Sequence, residues 1–563
     1  MEEAIHYKPV TSDCAVEEKY ADHAIAVYGE RQTGTTYLIG RLLDDCRKPF
    51  SVTDSSGREY NFWKDIHPIT SLNREQFSTI IRYSSYNNSK ASHFCSQYPV
   101  MIRLLSVSDI VVILTECYYM NNRDARRDGL NLSEIGKRLC SRYKDLPLLV
   151  NALLNENDII EIERSLGQSD ITSVFVYTNN LFFKNIASII RRVPQTEWDK
   201  VFCPFWNDNK ALSELFRLLT STLARLDYTS EAYLSLDSLS RFRDAENSIL
   251  SSECIFNLFQ KDTDSPITMT DVYFRHNGQN NSSFNSVSIH NSELSAICKE
   301  VVFKINEEYI NGTTSKEFLR KCDVLDFPKA QVQPFDMKLE DDNDVIMSFA
   351  REKVYYLFWK YVKEYKFNIL LFCHNSCKPQ VPYLCSEIAE WVRRVVGDTP
   401  DCRKATITRL NGCSPLFVIS TEFRLDATPY FYNMNSSEQF EWIWENRFYD
   451  VLYKECLRGD VKGWVDNWTD EESFKNFYIL RYLNKQESLF QDGFSTLNND
   501  YEVVGNNLSP HLYKLLHDSF VNSKTVSRFF DNPEETWNCG ATFNNDGSDL
   551  IIERLNAIAH TIE

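Results

Sequence analysis

The sequence predicts an α/β fold, and three stretches predict it. An apolar run, Ala24 to Tyr28, gives way at Gly29 to a polar turn and then to a helical pattern from Thr35. Asn368-Ile369-Leu370-Leu371-Phe372-Cys373 is a continuous apolar run, as a central parallel strand shows. After it, Leu384, Ile388, Trp391, Val392 and Val395 fall on one helical face, and Pro415 to Ser420 reads as another buried strand. Strand–helix–strand units of this kind assemble into parallel sheets with right-handed crossovers.

The first stretch carries chemistry. Gly29-Glu30-Arg31-Gln32-Thr33-Gly34-Thr35-Thr36 has the layout of a P-loop, with a strand before it and a helix after. Two glycines let the backbone curl so that N–H groups converge on a phosphate, and the helix adds the positive end of its dipole. Thr36 keeps the hydroxyl that ligates Mg²⁺ in such loops. Thr35 stands where the pattern GxxxxGK[ST] has the lysine that neutralises the β- and γ-phosphates. On two glycines alone an ordinary strand-to-helix turn reads as well.

Composition bounds the rest. At 563 residues the chain can bury a large core and hold roughly three or four domains. A formal charge of −18 argues against a general nucleic-acid or anionic-membrane binder, although local basic patches stay open. The acidic start Met1-Glu2-Glu3 does not read as a signal peptide, and no apolar run has the length of a membrane span. Sixteen irregularly spaced cysteines read as reduced thiols, so the expected location is cytoplasmic.

In order along the chain, residues 1–20 read as a polar lead-in. Glu59 to Trp63 and Phe77 to Tyr83 read as strands, with a Pro- and Asn-bearing loop over 66–74. Thr79 sits where a GTPase keeps its first switch threonine, or is β-branched filler. Tyr98 to Leu105 is a strand, and Ser108 caps a helix running to Met120 with Asp109 in its first turn. From about 130 to 250 the pattern is mostly helical, with loops at 167–172 and 204–209. Alternating positions over 266–290 around Asn277 to Asn281 predict a β-hairpin. Cys322 to Lys329 reads as a short buried strand ending in Asp326. In P-loop proteins such a strand lies beside the P-loop and its acid reaches Mg²⁺ through water. The GTPase form is DxxG, whereas here Lys329 follows Asp326-Phe327-Pro328. Pro334 to Asp344 is an acidic loop, and a helix follows from Val345 to Lys363. Cys373-His374-Asn375-Ser376-Cys377 crowds three metal-ligand types on one turn with no second pair, which is not a structural zinc set.

These segments together resemble the SrfC-like family of putative bacterial virulence factors, P-loop GTPase-like proteins. The resemblance rests on the P-loop, Tyr98 to Ser106, the Asp326-Phe327-Pro328 strand end, Val354 to Phe372, Leu416 to Phe423, and Asn545-Asp546-Gly547-Ser548 with the helix after it. It implies a P-loop NTPase (GTPase-like) domain over 21–85 and 300–563. Residues 86–299 would then form a mainly helical insertion carrying the hairpin. It implies Thr36 and Asp326 as Mg²⁺ residues, with GTP or ATP as the nucleotide. It also implies a base-reading motif aligned on Thr421-Glu422-Phe423-Arg424, where [NT]KxD is expected. Glu422 replaces the lysine that packs on the base, and Arg424 replaces the aspartate that accepts the guanine N–H pair. Family members continue beyond the last helix of this chain.

The departures fall where chemistry should be. The leading reading is a degenerate GTPase-like protein, a scaffold or regulated binding module with protein partners and at most weak NTP hydrolysis. A second is an active NTPase whose lysine is relocated to Lys329, with Arg31 as a competing cation. On the bland alternative Lys329 is a solvated loop residue. A third is a structural subunit of a multi-protein assembly that binds no nucleotide. Ile551, Leu555, Ile558 and Ile562 lie at helical spacing: either core of their own domain, or a self-association surface on the C-terminal helix.

Overall fold

The computed structural model describes residues 23–30, 33–44, 49–67, 78–84, 98–122, 132–167, 180–239, 252–259, 269–275, 284–305, 315–329, 337–375, 384–421, 423, 437–457, 463–470, 472–481, 510–542 and 545–562. Its strands are β1 (Ala24–Gly29), β2 (Ser51–Thr53), β3 (Glu59–Asn61), β4 (Ile80–Ser84), β5 (Val100–Leu104), β6 (Glu231–Leu234), β7 (Met269–Phe274), β8 (Asn285–His290), β9 (Cys298–Lys304), β10 (Asp323–Asp326), β11 (Ile369–His374), β12 (Leu416–Ser420) and β13 (Phe477–Ile479). Six helices matter most below: α1 (Thr35–Leu43), α2 (Val107–Asn121), α3 (Glu156–Leu166), α4 (Asp342–Lys363), α5 (Leu384–Trp391) and α6 (Ser548–Ala559).

Eleven strands form one sheet in the order β13-β12-β11-β1-β10-β4-β9-β5-β6-β7-β8, and β2 and β3 form a separate hairpin. From β13 to β10 every pair is parallel. The strand β4 then runs antiparallel to β10, β9 runs parallel to β4, and every later pair is antiparallel. The three strands β1, β11 and β12 at the centre of the parallel half are largely apolar: Ile25, Ala26, Val27, Leu370, Leu371, Val418 and Ile419 have no exposed surface. That is the expected price of a sheet covered by helices on both faces.

Where the strand direction changes, a row of charges crosses five strands. Arg82 on β4 bonds Asp323 on β10 at 2.7 Å and Glu300 on β9. Glu300 also takes Arg103 of β5 at 2.7 Å, and Arg103 reaches Glu231 of β6 at 3.3 Å. Asp323, Arg82 and Glu300 are buried, and a one-residue slip of any of these strands would strand a charge in the core. The row therefore fixes register where hydrophobic pattern alone would tolerate slippage.

Several elements differ from the sequence-based expectation. The cap of α2 is Ser106, not Ser108: Ser106 Oγ accepts from the Asp109 N–H at 3.1 Å, and Asp109 Oδ2 accepts from the Ser106 N–H at 2.8 Å. This is a capping box at S-x-x-D spacing. The helical stretch from 130 to 250 contains a strand, β6, and its expected loop at 204–209 opens with a buried 3₁₀ turn, Cys203–Trp206. Trp198 and Trp206 are core. Asp341 caps α4, which starts at Asp342 rather than Val345. The hairpin appears as β7 and β8, paired from Met269–His290 to Phe274–Asn285; its tip, 277–281, lies outside the described residues. Thr79 is fully buried and donates to the Cys298 carbonyl at 3.1 Å, the structural reading of the two. The C-terminal stripe is core: Ile551, Leu555 and Ile558 have no exposed surface and Ile562 has 6%. α6 packs on α1 and on the turn Glu317–Arg320, so this apolar face is covered by its own chain.

Candidate functional site

The strand β1 runs between β11 and β10, so its carboxyl end opens between the ends of those two strands. Gly29 lies opposite Cys373. A Cβ there would fall 2.3 Å from the Cys373 carbonyl oxygen and 2.7 Å from Thr33 Oγ1, so only glycine lets the chain turn this close. Glu30 is 5% exposed, and its carbonyl accepts the Thr33 hydroxyl at 2.7 Å. Arg31 and Gln32 lie outside the described residues. Gly34 is left-handed (φ 75°, ψ 12°) and heads α1 with no side-chain cap. Thr35 is buried and Thr36 half-buried in the first turn of α1. The turn thus presents helix N–H groups without a carboxylate or hydroxyl cap, a geometry that suits an anion.

Beside it, β10 ends in Asp326, in register with Val27. Lys329 is 7% exposed, and its Nζ donates to Asp326 Oδ1 at 2.6 Å and toward the Phe327 carbonyl at 3.4 Å. The other oxygen, Asp326 Oδ2, is buried without a hydrogen bond among the described residues, 3.5 Å from His67 Nε2. His67 Nε2 also lies 3.3 Å from the Tyr83 hydroxyl. Burial pushes the His67 pKa down to about 4; Asp326 opposes the shift and Lys329 adds to it. The imidazole is therefore neutral at pH 7, and Lys329 is the only cation on Asp326 among the described residues. Burial also raises the Tyr83 phenol well above its usual value and pushes the Cys373 thiol up to about 12.

These residues do not fit a magnesium–nucleotide site of the ordinary kind. A Mg²⁺ ion needs oxygen donors in near-octahedral geometry. One oxygen of Asp326 is already neutralised by Lys329, and the uncharged Thr35 stands where the P-loop pattern has its lysine. What the described residues show of the glycine turn is the tight exit from β1 at Gly29 and the left-handed Gly34 at the head of α1.

On the side where a base would lie, the Thr421 N–H and hydroxyl both donate to the His374 carbonyl, at 2.8 and 3.0 Å. Thr421 and Phe423 are fully buried, while Glu422 and Arg424 lie outside the described residues. Burial holds the His374 pKa down to about 3.

Five further residues at this end, His67, Tyr83, Arg481, Asp546 and Gly547, were given no site role by the sequence reading. His67 and Tyr83 complete the Asp326 cluster; a lone histidine in a Pro- and Asn-bearing loop gives no signal of such a contact. Asp546 Oδ2 accepts the Tyr37 hydroxyl at 2.6 Å and meets Arg41 Nε at 2.8 Å, while Oδ1 accepts the Ser548 N–H and hydroxyl at 2.9 and 2.6 Å. It thereby ties α1 to α6. Gly547 is left-handed, with Ile479 O only 2.0 Å from where a Cβ would stand. The buried Arg481 donates to the carbonyls of Gly540, Thr542 and Asn545 at 3.0, 2.7 and 2.8 Å. The Asp-Gly-Ser turn before an apolar helical stripe was the one available signal for Asp546.

Among the described residues no helix is long and apolar enough to cross a membrane. No curated protein matches the chain. Residues 18–562 match the sequence profile of a family described as "Putative bacterial virulence factor". With nearly its whole length matched, from the lead into β1 to the end of α6, the chain belongs to that family.

Proposed function

We propose that this chain is a degenerate GTPase-like P-loop protein that works in the cytoplasm as a scaffold or regulated binding module for protein partners, with weak or absent hydrolysis. Two features support the P-loop part. The glycine turn leaves the carboxyl end of β1, and the strand run β13-β12-β11-β1-β10-β4, with β4 alone reversed, is the order a GTPase-like sheet would have. The observation that carries the degenerate part is the Lys329–Asp326 pair. An ammonium sits 2.6 Å from the carboxylate that a Mg²⁺ shell would use, so an internal cation takes the electrostatic role of the metal.

The relocated-lysine reading draws on the same side chain. Lys329 lies close enough to Cys373, beside Gly29, to act on its thiol, so a swing toward the glycine turn would bring it near a phosphate. One titration separates the readings. Nucleotide binding by the parent and by Lys329→Ala is followed by calorimetry with GTP and with ATP, each with and without Mg²⁺. On our reading GTP and ATP bind with similar weak affinity, because an arginine at 424 cannot accept the guanine N–H pair. Mg²⁺ then adds little, and Lys329→Ala does not weaken binding. A GTP preference near a hundredfold, or Mg²⁺-dependent turnover, overturns it. A tenfold loss in Lys329→Ala, about 1.4 kcal/mol, favours the relocated lysine. No binding of either nucleotide leaves the structural-subunit reading.

A further inference from the structure

A cavity of about 500 Å³ opens where α3 and α4 end beside the turn Val392–Val396. Its described lining residues include none from the glycine turn or the Asp326 cluster. The volume is that of a small-molecule site. Helical spacing builds it: Ile160, Glu161 and Arg164 share one face of α3, and Tyr356, Lys360 and Lys363 share one face of α4. Each helix carries basic residues in its last turn, where its dipole favours them. Two ordinary helix ends therefore bring their cations to one cleft.

The lining holds the cations Arg164, Lys360, Lys363 and Arg394 and the carboxylates Glu161 and Glu364. Both carboxylates are drawn to one ammonium: Lys360 meets Glu161 at 2.8 Å, Glu364 at 3.2 Å and the buried Asp109 at 2.7 Å. Lys366 adds a weak contact to Glu364 at 4.0 Å. Behind the cleft Glu390 accepts from Arg394 Nε and also pairs with Arg393. Glu116, buried on α2, acts on Lys363 without forming an ion pair with it. The other acids of α3 do not line the cleft: Glu156 and Asp158 lie in its first turn, and Glu163 interacts with Lys184. With all of these groups included, the neighbourhood has no positive excess, so net charge does not favour an anion. What does is a set of donors without acceptors. Among the described residues Arg164 and Lys363 make no hydrogen bond or ion pair, and Arg394 donates through Nε alone. Lys363 is half-buried, and burial holds its ammonium below the ordinary lysine pKa; Arg394 and Lys360 add to the shift, while Glu116 and Glu390 oppose it. A cation taken from water and left without an acceptor is costly, and an anion in the cleft would relieve that cost.

We propose that this cleft binds a small organic phosphate, with the phosphate on Arg164, Lys363 and the terminal nitrogens of Arg394 and the organic part against Ile160 and Tyr356. A phosphate offers several acceptor oxygens at once, which donors from three separate elements can share, and arginine meets it with two parallel N–H groups. The Tyr356 hydroxyl is held by Asp109 at 2.6 Å, which fixes the ring that the organic part meets. The cavity is larger than a bare phosphate ion needs, so the ligand is an ester. The site does not depend on the nucleotide reading above.

Calorimetry of the full chain with phenyl phosphate, inorganic phosphate and benzoate tests it. Phenyl phosphate is expected to bind most tightly of the three. Lys363→Met with Arg164→Gln should weaken it by at least about tenfold. Thr36→Ala, in the glycine turn, should leave it unchanged, and circular dichroism checks that each variant stays folded. A second readout needs no variant: acylation of the Lys363 amine, followed by mass spectrometry of the parent, should slow when phenyl phosphate is present. No binding of phenyl phosphate by the parent overturns the proposal, as does a double variant that binds like the parent. A loss in Thr36→Ala instead would move the ligand to the glycine turn and overturn it too. Inorganic phosphate binding as tightly removes the organic part of the assignment, and benzoate binding as tightly removes the phosphate. Acylation of Lys363 at the same rate with and without phenyl phosphate overturns its place in the site.

Discussion

Replacing Lys329 by methionine keeps most of the side-chain volume and removes the ammonium from Asp326. Taking one partner from a buried ion pair costs about 3–5 kcal/mol, because the remaining charge has no compensation. Here a substitute stands 3.5 Å away, the ring of His67. In the parent that ring has its pKa lowered from 6.5 to about 4, first by burial, with Lys329 adding to the shift and Asp326 opposing it. Between those two values the unfolded chain binds more protons than the folded one, so the parent loses stability as pH falls through that window. From pH 8 to pH 5.5 the His67 contribution to that loss is about 1.4 kcal/mol. Without Lys329 that repulsion disappears and Asp326 alone acts on the ring, so the His67 pKa rises from about 4, while burial, the largest cause, still holds it below 6.5. That loss then becomes smaller, and the penalty of Lys329→Met, largest at pH 8, shrinks at pH 5.5 by part of it, at most about 1.4 kcal/mol. His374 titrates alike in both proteins and cancels. Urea unfolding of parent and variant at the two pH values measures the difference, and the His67 ring protons followed by NMR give its pKa directly. Parallel pH dependence in the two proteins, with His67 still titrating near 4 in the variant, would refute the cation exchange.

Two other substitutions probe the frame of the site. Gly29→Ala drives a methyl group into the Cys373 carbonyl and should cost about 1–3 kcal/mol, read as a lower thermal midpoint; an unchanged midpoint would mean that β1 and β11 separate more easily than their register implies. Leu555→Ala should cost about 2–5 kcal/mol, because α6 buries this side chain fully; a loss below 1 kcal/mol in denaturant unfolding would mean that the stripe is not core.

The sequence made the parallel half of the sheet legible because β1, β11 and β12 lie on continuous apolar runs and β10 on a short apolar stretch ending in an acid. The Asp326 strand indeed pairs with β1. What was hidden depended on distance in sequence. β13 is three residues long, too short for a pattern, and is defined by pairing with β12. β6 interrupts a helical stretch with only four residues and becomes a strand because β5 and β7 flank it. Lys329 was legible as a departure at a motif position, but its engagement with Asp326 was not. Nor was His67, some 260 positions earlier, since nothing local specifies a contact made by folding.

The sheet's order also sets a timetable. Among the described strands β1 is synthesised first, yet its neighbours are β10 and β11, so Ala24 waits for Asp323 and Ile25 for Ile369. At 5–20 residues per second the roughly 300 intervening residues take about 15–60 s to synthesise. Through that interval a fully apolar strand has both edges open, the condition under which nascent chains aggregate. The intervening segment already contains β4 through β9, which pair only among themselves and with β10, so the antiparallel half can assemble before the first strand is enclosed. Any fragment ending before Asp323 carries β1 with no partner in the sheet.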